Sequence, residues 1–183
     1  HDALPISLEN ETFRYVACKP NYYIAPTNKD KHGKELWNHH KMVKRTMFNY
    51  DGVEGGKTGY TTKAGGTLVT FAKRGDQELI VVDLCAHGYE LYEDTIKMLN
   101  YGFNNYKTIA PFKTMNTVLK DDTYGFLKTG NELSPYKIPL KHLNDVTVML
   151  EKNQSASKLT YKCKDNKYII SYDGKQIGSV KLH

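Results

Sequence analysis

Residues 53 to 66 read VEGGKTGYTTKAGG. A lysine and several hydroxyls stand there among glycines. Three chemistries fit such a stretch: a phosphate cradle, a hairpin turn, or one wall of an acyl-transfer site. A second Lys-Thr-Gly at Lys128-Thr129-Gly130 shows that the tripeptide alone decides nothing. A phosphate-binding P-loop needs Gly, four residues, then Gly-Lys-Ser/Thr at the mouth of a helix. The first glycine would belong at position 51, which is Asp51, and a strand pattern follows instead of a helix. The anion site at a helix N-terminus is then missing. In an acyl-transfer wall, Lys57 raises the positive potential of a cleft and assists proton traffic at a nucleophile. Thr58 hydrogen-bonds a substrate carboxylate, and Gly59 leaves room for substrate backbone. The backbone N–H of Tyr60 faces a developing oxyanion.

Other chemistry-bearing residues carry less. His39 and His40, with His32, invite a metal reading. Adjacent histidines point apart in a strand, however, and no carboxylate or cysteine framework surrounds them, so no metal is expected. Glu93 and Asp94 occupy neighbouring helical positions and face different directions, which suits a solvated surface better than a paired acid site. Cys18, Cys85 and Cys163 are distant from one another and odd in number. No CxxC is present, and Cys85 within its apolar run reads as a small buried residue. The 14 tyrosines suit half-buried strand positions, with carbohydrate stacking as a second use.

The elements that must position these residues read as follows. The 183 residues, 39% hydrophobic and 25% charged, suit one ordinary globular domain or two small ones. No apolar run approaches the roughly 20 residues that span a bilayer. The net charge of +6 is scattered and reads as solubility with weak attraction to anionic surfaces. Leu8, Phe13, Val16 and Ala17 have helical spacing that ends at Pro20. Residues 21 to 50 read as loop and short extended pieces, with Trp37 and Met42 as packing anchors. Leu68 to Ala72 and Leu79 to Ala86 flank Gly75-Asp76 as a β-hairpin, and the second strand, apolar on both faces, is expected at the centre of a sheet. Tyr92, Ile96, Leu99 and Phe103 predict a helix over 89–103 stopped by Gly102 and packed across that sheet. Beyond Phe103 come short β-type runs, with turns at Lys128-Thr129-Gly130 and Asp173-Gly174, which suggest a small all-β module over 107–183. No cofactor is expected.

The longer pattern is more specific than the tripeptide. Gly-Lys-Thr-Gly-Tyr-Thr at 56–61 is followed by Ala64-Gly65, Leu68-Val69, Leu79-Ile80-Val81-Val82 and Tyr101-Gly102-Phe103. Upstream stand "ETFRYV", "PTNK" and "NHHKM". Together they resemble the serine D-alanyl-D-alanine carboxypeptidases, the low-molecular-mass penicillin-binding proteins, whose motif set includes KTG. The resemblance implies an α+β fold: over 7–106 the C-terminal part of a penicillin-binding/β-lactamase-like transpeptidase domain, an antiparallel sheet with a packed helix, then a small all-β domain over 107–183. It implies hydrolysis of peptidoglycan stem peptides through an acyl-serine intermediate that β-lactams trap. It assigns Lys57 and the Tyr60 N–H to catalysis, and Thr58, Gly59 and Thr61 to substrate binding. It also implies an extracytoplasmic place at the cell envelope, no nucleic-acid partner, and membrane attachment only through an anchor that this chain lacks.

The resemblance breaks at the nucleophile. The family's S-x-x-K and S-x-N motifs precede KTG, whereas Ser7 is the only serine before Lys57 and fits neither. Ser134 to Lys137 and Ser155 to Lys158 spell S-x-x-K, but both follow KTG, one with Pro135 and the other in a polar loop. Leu91 stands where many relatives carry an arginine that helps bind the substrate carboxylate; Lys63 and Arg74 are the nearby candidates to substitute. The chain is therefore expected to be a C-terminal portion of an enzyme, inactive alone. Residues 1–6, HDALPI, are expected to be a non-native leader, since they match a translated sequencing adapter. The rival readings are a non-catalytic envelope module and, third, a nucleotide-binding protein.

Overall fold

The computed structural model describes residues 7–44, 46–113, 117–119, 124–129, 132–133, 138–139, 146–165 and 167–181. Two compact units divide the chain, His1–Asn104 and Asn105–His183. Among the described residues no helix is long and apolar enough to cross a membrane.

In the first unit, helix α1 (Glu11–Cys18) begins where Asn10 accepts a hydrogen bond from the Phe13 amide at 2.9 Å. This side-chain cap satisfies a donor that the first helical turn leaves unpaired. Residues 21–50, expected as loop and short extended pieces, contain an antiparallel pair, β1 (Asn21–Ile24) with β2 (Lys34–Trp37), in register Asn21↔Trp37 to Ile24↔Lys34. A short 3₁₀ turn follows at Lys41–Val43. Met42 is buried as expected, but Trp37 is 54% exposed and anchors no core.

The sheet that matters comes next. Strands β3 (Val53–Thr61), β4 (Gly65–Arg74) and β5 (Gln77–Ala86) form an antiparallel meander in the order β3-β4-β5. The two-residue turn at Gly75 and Asp76 joins the expected hairpin, with Gly75 at φ 57°. The strand at the centre is β4 rather than β5. Among the described residues β5 is an edge strand, and Ile80, Val82 and Leu84 are exposed on it. Apolar residues on both faces were therefore no sign of two covered faces here. Cys85 is also exposed rather than buried. It is the unpaired residue where the register shifts between Gly66↔Ala86 and Thr67↔Leu84, with φ 65°. Such a bulge breaks the two-residue alternation that the sequence pattern assumes.

Helix α2 (Glu90–Asn105) packs on this sheet. Leu91, Tyr92, Leu99 and Phe103 join Leu68, Ala72, Val81, Met42 and Phe48 in one core. Gly102 does not stop the helix, which runs three residues further. Gly102 is buried instead, and a Cβ there would come within 2.6 Å of Leu79 Cδ1. The glycine permits close approach of helix and strand and caps nothing.

In the second unit, β6 (Tyr106–Ile109) pairs with β11 (Val148–Glu151). Strand β8 (Tyr124–Thr129) lies between β7 (Thr117–Leu119) and β10 (Ile138–Pro139) and also pairs with β9 (Glu132–Leu133). Strands β12 (Leu159–Lys164), β13 (Lys167–Tyr172) and β14 (Lys175–Lys181) form a meander. Its core gathers Phe112, Val148, Leu150, Leu159, Tyr168 and Ile170. Asp173 and Gly174, at φ 49° and 79°, make the expected turn between β13 and β14. Lys128 and Thr129, expected in a turn, end β8 and pair with Leu133 and Glu132, while Gly130 lies outside the described residues. The whole is a sheet-rich α+β fold of antiparallel sheets with few helices.

Candidate active site

Strand β3 carries Lys57, Thr58, Gly59, Tyr60 and Thr61 in one continuous run. Its single strand partner among the described residues is β4, in register Lys57↔Val69, Thr58↔Leu68, Gly59↔Thr67, Tyr60↔Gly66 and Thr61↔Gly65. The other edge of β3 pairs with no strand among the described residues, which leaves a place where an extended peptide could lie along it. Lys57 is exposed, and its Nζ donates to the Thr58 carbonyl at 2.5 Å. Thr58 is half-buried, whereas Gly59, Thr61 and Tyr60 are exposed, Tyr60 by 76%.

The glycines before Lys57 fix this strand in depth. A Cβ at Gly56 would lie 2.0 Å from the Val69 carbonyl oxygen and 2.7 Å from the His40 ring. A Cβ at Gly55 would meet Phe71 at 2.7 Å and Cys18 Sγ at 2.9 Å. Only glycine lets β3 lie between His40 on one side and α1 on the other. Side chains alternate along a strand. Lys57 thus shares the face of Gly55, and His40 supports the opposite face, beneath Gly56.

His40 is fully buried, with Nε2 2.9 Å from Thr70 Oγ1 and its ring edge-on to Tyr92 at 6.2 Å between centroids. Its Nδ1 makes no hydrogen bond. Burial penalises the charged ring and pushes its pKa down to about 4. The imidazole beneath Gly56 is therefore neutral at physiological pH.

On the other face, Arg14 of α1 pairs with Glu54 through two nitrogens, one of them Nε at 3.0 Å, and reaches Glu78 at 3.3 Å. Lys73 binds the same Glu78 oxygen at 2.8 Å. These partners hold the Glu78 carboxyl below its ordinary range, chiefly through Lys73. Glu54, three residues before Lys57, is thereby tied to a helix across the sheet face.

Comparison with known proteins bears on what this strand belongs to. Over 154 residues the chain is 29% identical to the D-alanyl-D-alanine carboxypeptidase DacF of Bacillus subtilis, covering 81% of the chain and 37% of that protein. Over 77 residues it is 35% identical to the D-alanyl-D-alanine carboxypeptidase DacC of Escherichia coli, covering 42% of the chain and 18% of that protein. The chain is a relative of the D-alanyl-D-alanine carboxypeptidases. It matches little more than a third of DacF and a smaller share of DacC. The fold agrees. Penicillin-binding protein 5 from Haemophilus influenzae superposes with a TM-score of 0.61 over 99% of the chain and 52% of that structure, at 21% identity. Penicillin-binding protein 6B from Escherichia coli does so at 0.53 over 95% of the chain and 45% of that structure, at 18% identity. No protein-family model matches the chain.

Leu91 is buried in the core against Gly66, where a Cβ would lie 2.8 Å from Leu91 Cδ1. It offers only methyl groups beneath the end of β3. Arg74, a candidate substitute for the missing cation, instead bonds the Asp51 carbonyl at 2.9 Å and lies over the Tyr50 and Phe103 rings. Lys63 is exposed in the turn between β3 and β4. Of the two S-x-x-K strings, Ser134 to Lys137 lies outside the described residues. In the other, Ser155 Oγ bonds Ser157 Oγ at 2.8 Å, while Lys158 Nζ faces Asp173 at 3.4 Å. That serine has a hydroxyl partner and its lysine a carboxylate partner. His39 is exposed and His40 buried, so they form no pair. Glu93 is exposed, and Asp94 binds Lys97 at 2.8 Å.

The residues that sequence reasoning passed over are His40, Thr70, Glu54 and Arg14. His40 was weighed only as a metal ligand. The double glycine at 55–56 was the one local sign that another group must press against the strand.

Proposed function

We propose that β3 is one wall of a serine D-Ala-D-Ala carboxypeptidase site that trims peptidoglycan stem peptides. The observation that carries this reading is the placement of Lys57, Thr58 and Tyr60 on the edge strand of a sheet shared with penicillin-binding proteins. The substrate peptide lies antiparallel along β3, where Gly59 offers no side chain to obstruct it. Thr58 donates its hydroxyl to the terminal carboxylate, with Thr61 contacting the same peptide. The Lys57 ammonium lowers the cost of proton transfer at an attacking serine. As the scissile carbonyl becomes tetrahedral, its oxyanion accepts a hydrogen bond from the Tyr60 N–H. Leu91 supplies no charge, so Thr58 carries more of the carboxylate recognition than it would beside an arginine.

The attacking serine is not supplied by this chain. No S-x-x-K precedes Lys57, and the one described S-x-x-K serine lies in the second unit with its lysine turned to Asp173. The 183-residue chain is accordingly inactive by itself, and penicillins do not acylate it. The natural protein works outside the cytoplasm at the cell envelope, where its peptide substrate lies.

The test is to extend the reading frame upstream, search it for S-x-x-K and S-x-N, and assay that longer enzyme for D-Ala release from a peptide ending in D-Ala-D-Ala. Lys57→Ala is expected to lower kcat/KM by about 10²-fold or more, the scale of losing one positioned electrostatic partner. Unchanged kcat/KM in Lys57→Ala would remove β3 from the site.

A further inference from the structure

The whole net charge of +6 belongs to the second unit. The 26 basic residues divide equally between 1–104 and 105–183, 13 to each, whereas the 20 acids divide 13 to 7. All 13 basic residues of 105–183 are lysines. Strand register then gathers four of them. Lys164 on β12 stands opposite Lys167 on β13, and Lys167 stands opposite Lys181 on β14. Residues directly opposite in an antiparallel pair share a face. Alternation along β12 puts Lys162 on that face too. All four lysines are exposed, and the core takes the other face, where Leu159, Tyr168 and Ile170 are buried.

Like charges directly opposite one another destabilise a sheet. Among the described residues no carboxylate pairs with any of the four. Asp173, in the turn between β13 and β14, faces Lys158 instead at 3.4 Å. Folding therefore gains nothing from this rung of lysines, and a partner of opposite charge would relieve it. The rest of the face is Thr160, Ser171 and Ser179 around a half-buried Ile169. It offers hydroxyls to an anion and no aromatic ring.

We infer that this face docks on an anionic lipid surface. The lysines stand on an exposed sheet face, which can lie against a planar layer of phosphates. Neighbouring strands are about 4.8 Å apart, so the three-lysine rung spans about 10 Å of backbone. Each lysine is a point charge on a flexible stem, which follows mobile headgroups. Fixed phosphates on a folded partner favour the arginine fork, and 105–183 contains no arginine. A single-stranded nucleic acid would need stacking rings that this face does not carry. The inference rests on the second unit and not on Lys57, so either reading survives the failure of the other.

The intact 183-residue chain is sedimented with sucrose-loaded vesicles of phosphatidylcholine alone and of phosphatidylcholine with about 30% phosphatidylglycerol, in about 0.1 M salt. Binding is expected to the anionic vesicles only, and to be lost at about 1 M salt, where charges are screened within about 3 Å. Lys164→Gln with Lys167→Gln is expected to lower partitioning about 25-fold, about fivefold for each lysine. Lys162→Gln with Lys181→Gln serves if that pair fails to fold. Lys29→Gln with Lys31→Gln removes the same charge from the first unit and is expected to change partitioning less than twofold. No binding to the anionic vesicles would overturn the inference. So would an equal loss in the Lys29 and Lys31 variant, because net charge and not this face would then bind. Full displacement by an equivalent charge of soluble polyphosphate would overturn the lipid surface in favour of a soluble phosphate polymer.

Discussion

His40 is the residue that packs beneath β3 at Gly56. It is neutral because burial penalises the charged ring. Its folded pKa of about 4 lies below the unfolded value near 6.5. The unfolded chain therefore takes the proton first as pH falls. The stabilising contribution is complete above about pH 6.5 and declines towards pH 4, by at most about 3 kcal/mol. Urea midpoints at pH 7 and pH 4.5 should differ more in the native sequence than in His40→Gln, which carries no titrating ring. Equal pH dependence in the two would place the acid sensitivity elsewhere. Gly56→Ala should be costlier at every pH, because its methyl group meets the Val69 carbonyl oxygen, a backbone atom that moves only with the sheet. A loss of about 3 kcal/mol or more in urea unfolding is expected.

At the scale of elements, the sheet and its helix form a single packing problem. Leu99 is fully buried in the centre of α2, between the contacts of Leu91 with Gly66 and of Gly102 with Leu79. Leu99→Ala should cost about 2–5 kcal/mol in urea unfolding. Much of this scale was legible in the sequence. The spacing of Tyr92, Leu99 and Phe103 gave the helix because 3.6-residue periodicity survives wherever one face is buried. The β4–β5 hairpin was legible because Gly75 and Asp76 interrupt two apolar runs. The misreadings have physical causes. Gly102 read as a stop because a glycine that ends a helix and one that admits Leu79 look alike in sequence. The apolar content of β5 suggested a covered strand, although Ile80, Val82 and Leu84 stand exposed on it. Cys85 escaped its buried pattern because a bulge turned it outward. The β1–β2 pairing was hidden because its strands are only four residues long and exposed throughout.

At the scale of the whole molecule, two sheet-rich units are strung in one chain that matches only part of its relatives' length. The proposed site was legible only in part. The KTG strand was found from its neighbours, whereas the imidazole beneath it was not, because the double glycine at 55–56 marks a close contact without naming its partner. No S-x-x-K or S-x-N stands before Lys57 in the sequence. The most direct measurement is intact-mass spectrometry of the chain after incubation with benzylpenicillin at neutral pH. An unmodified mass is expected, since the proposed wall brings no activated serine of its own. A stable adduct of one penicillin per chain, mapped to any serine, would contradict the assignment of β3 as a wall without its nucleophile.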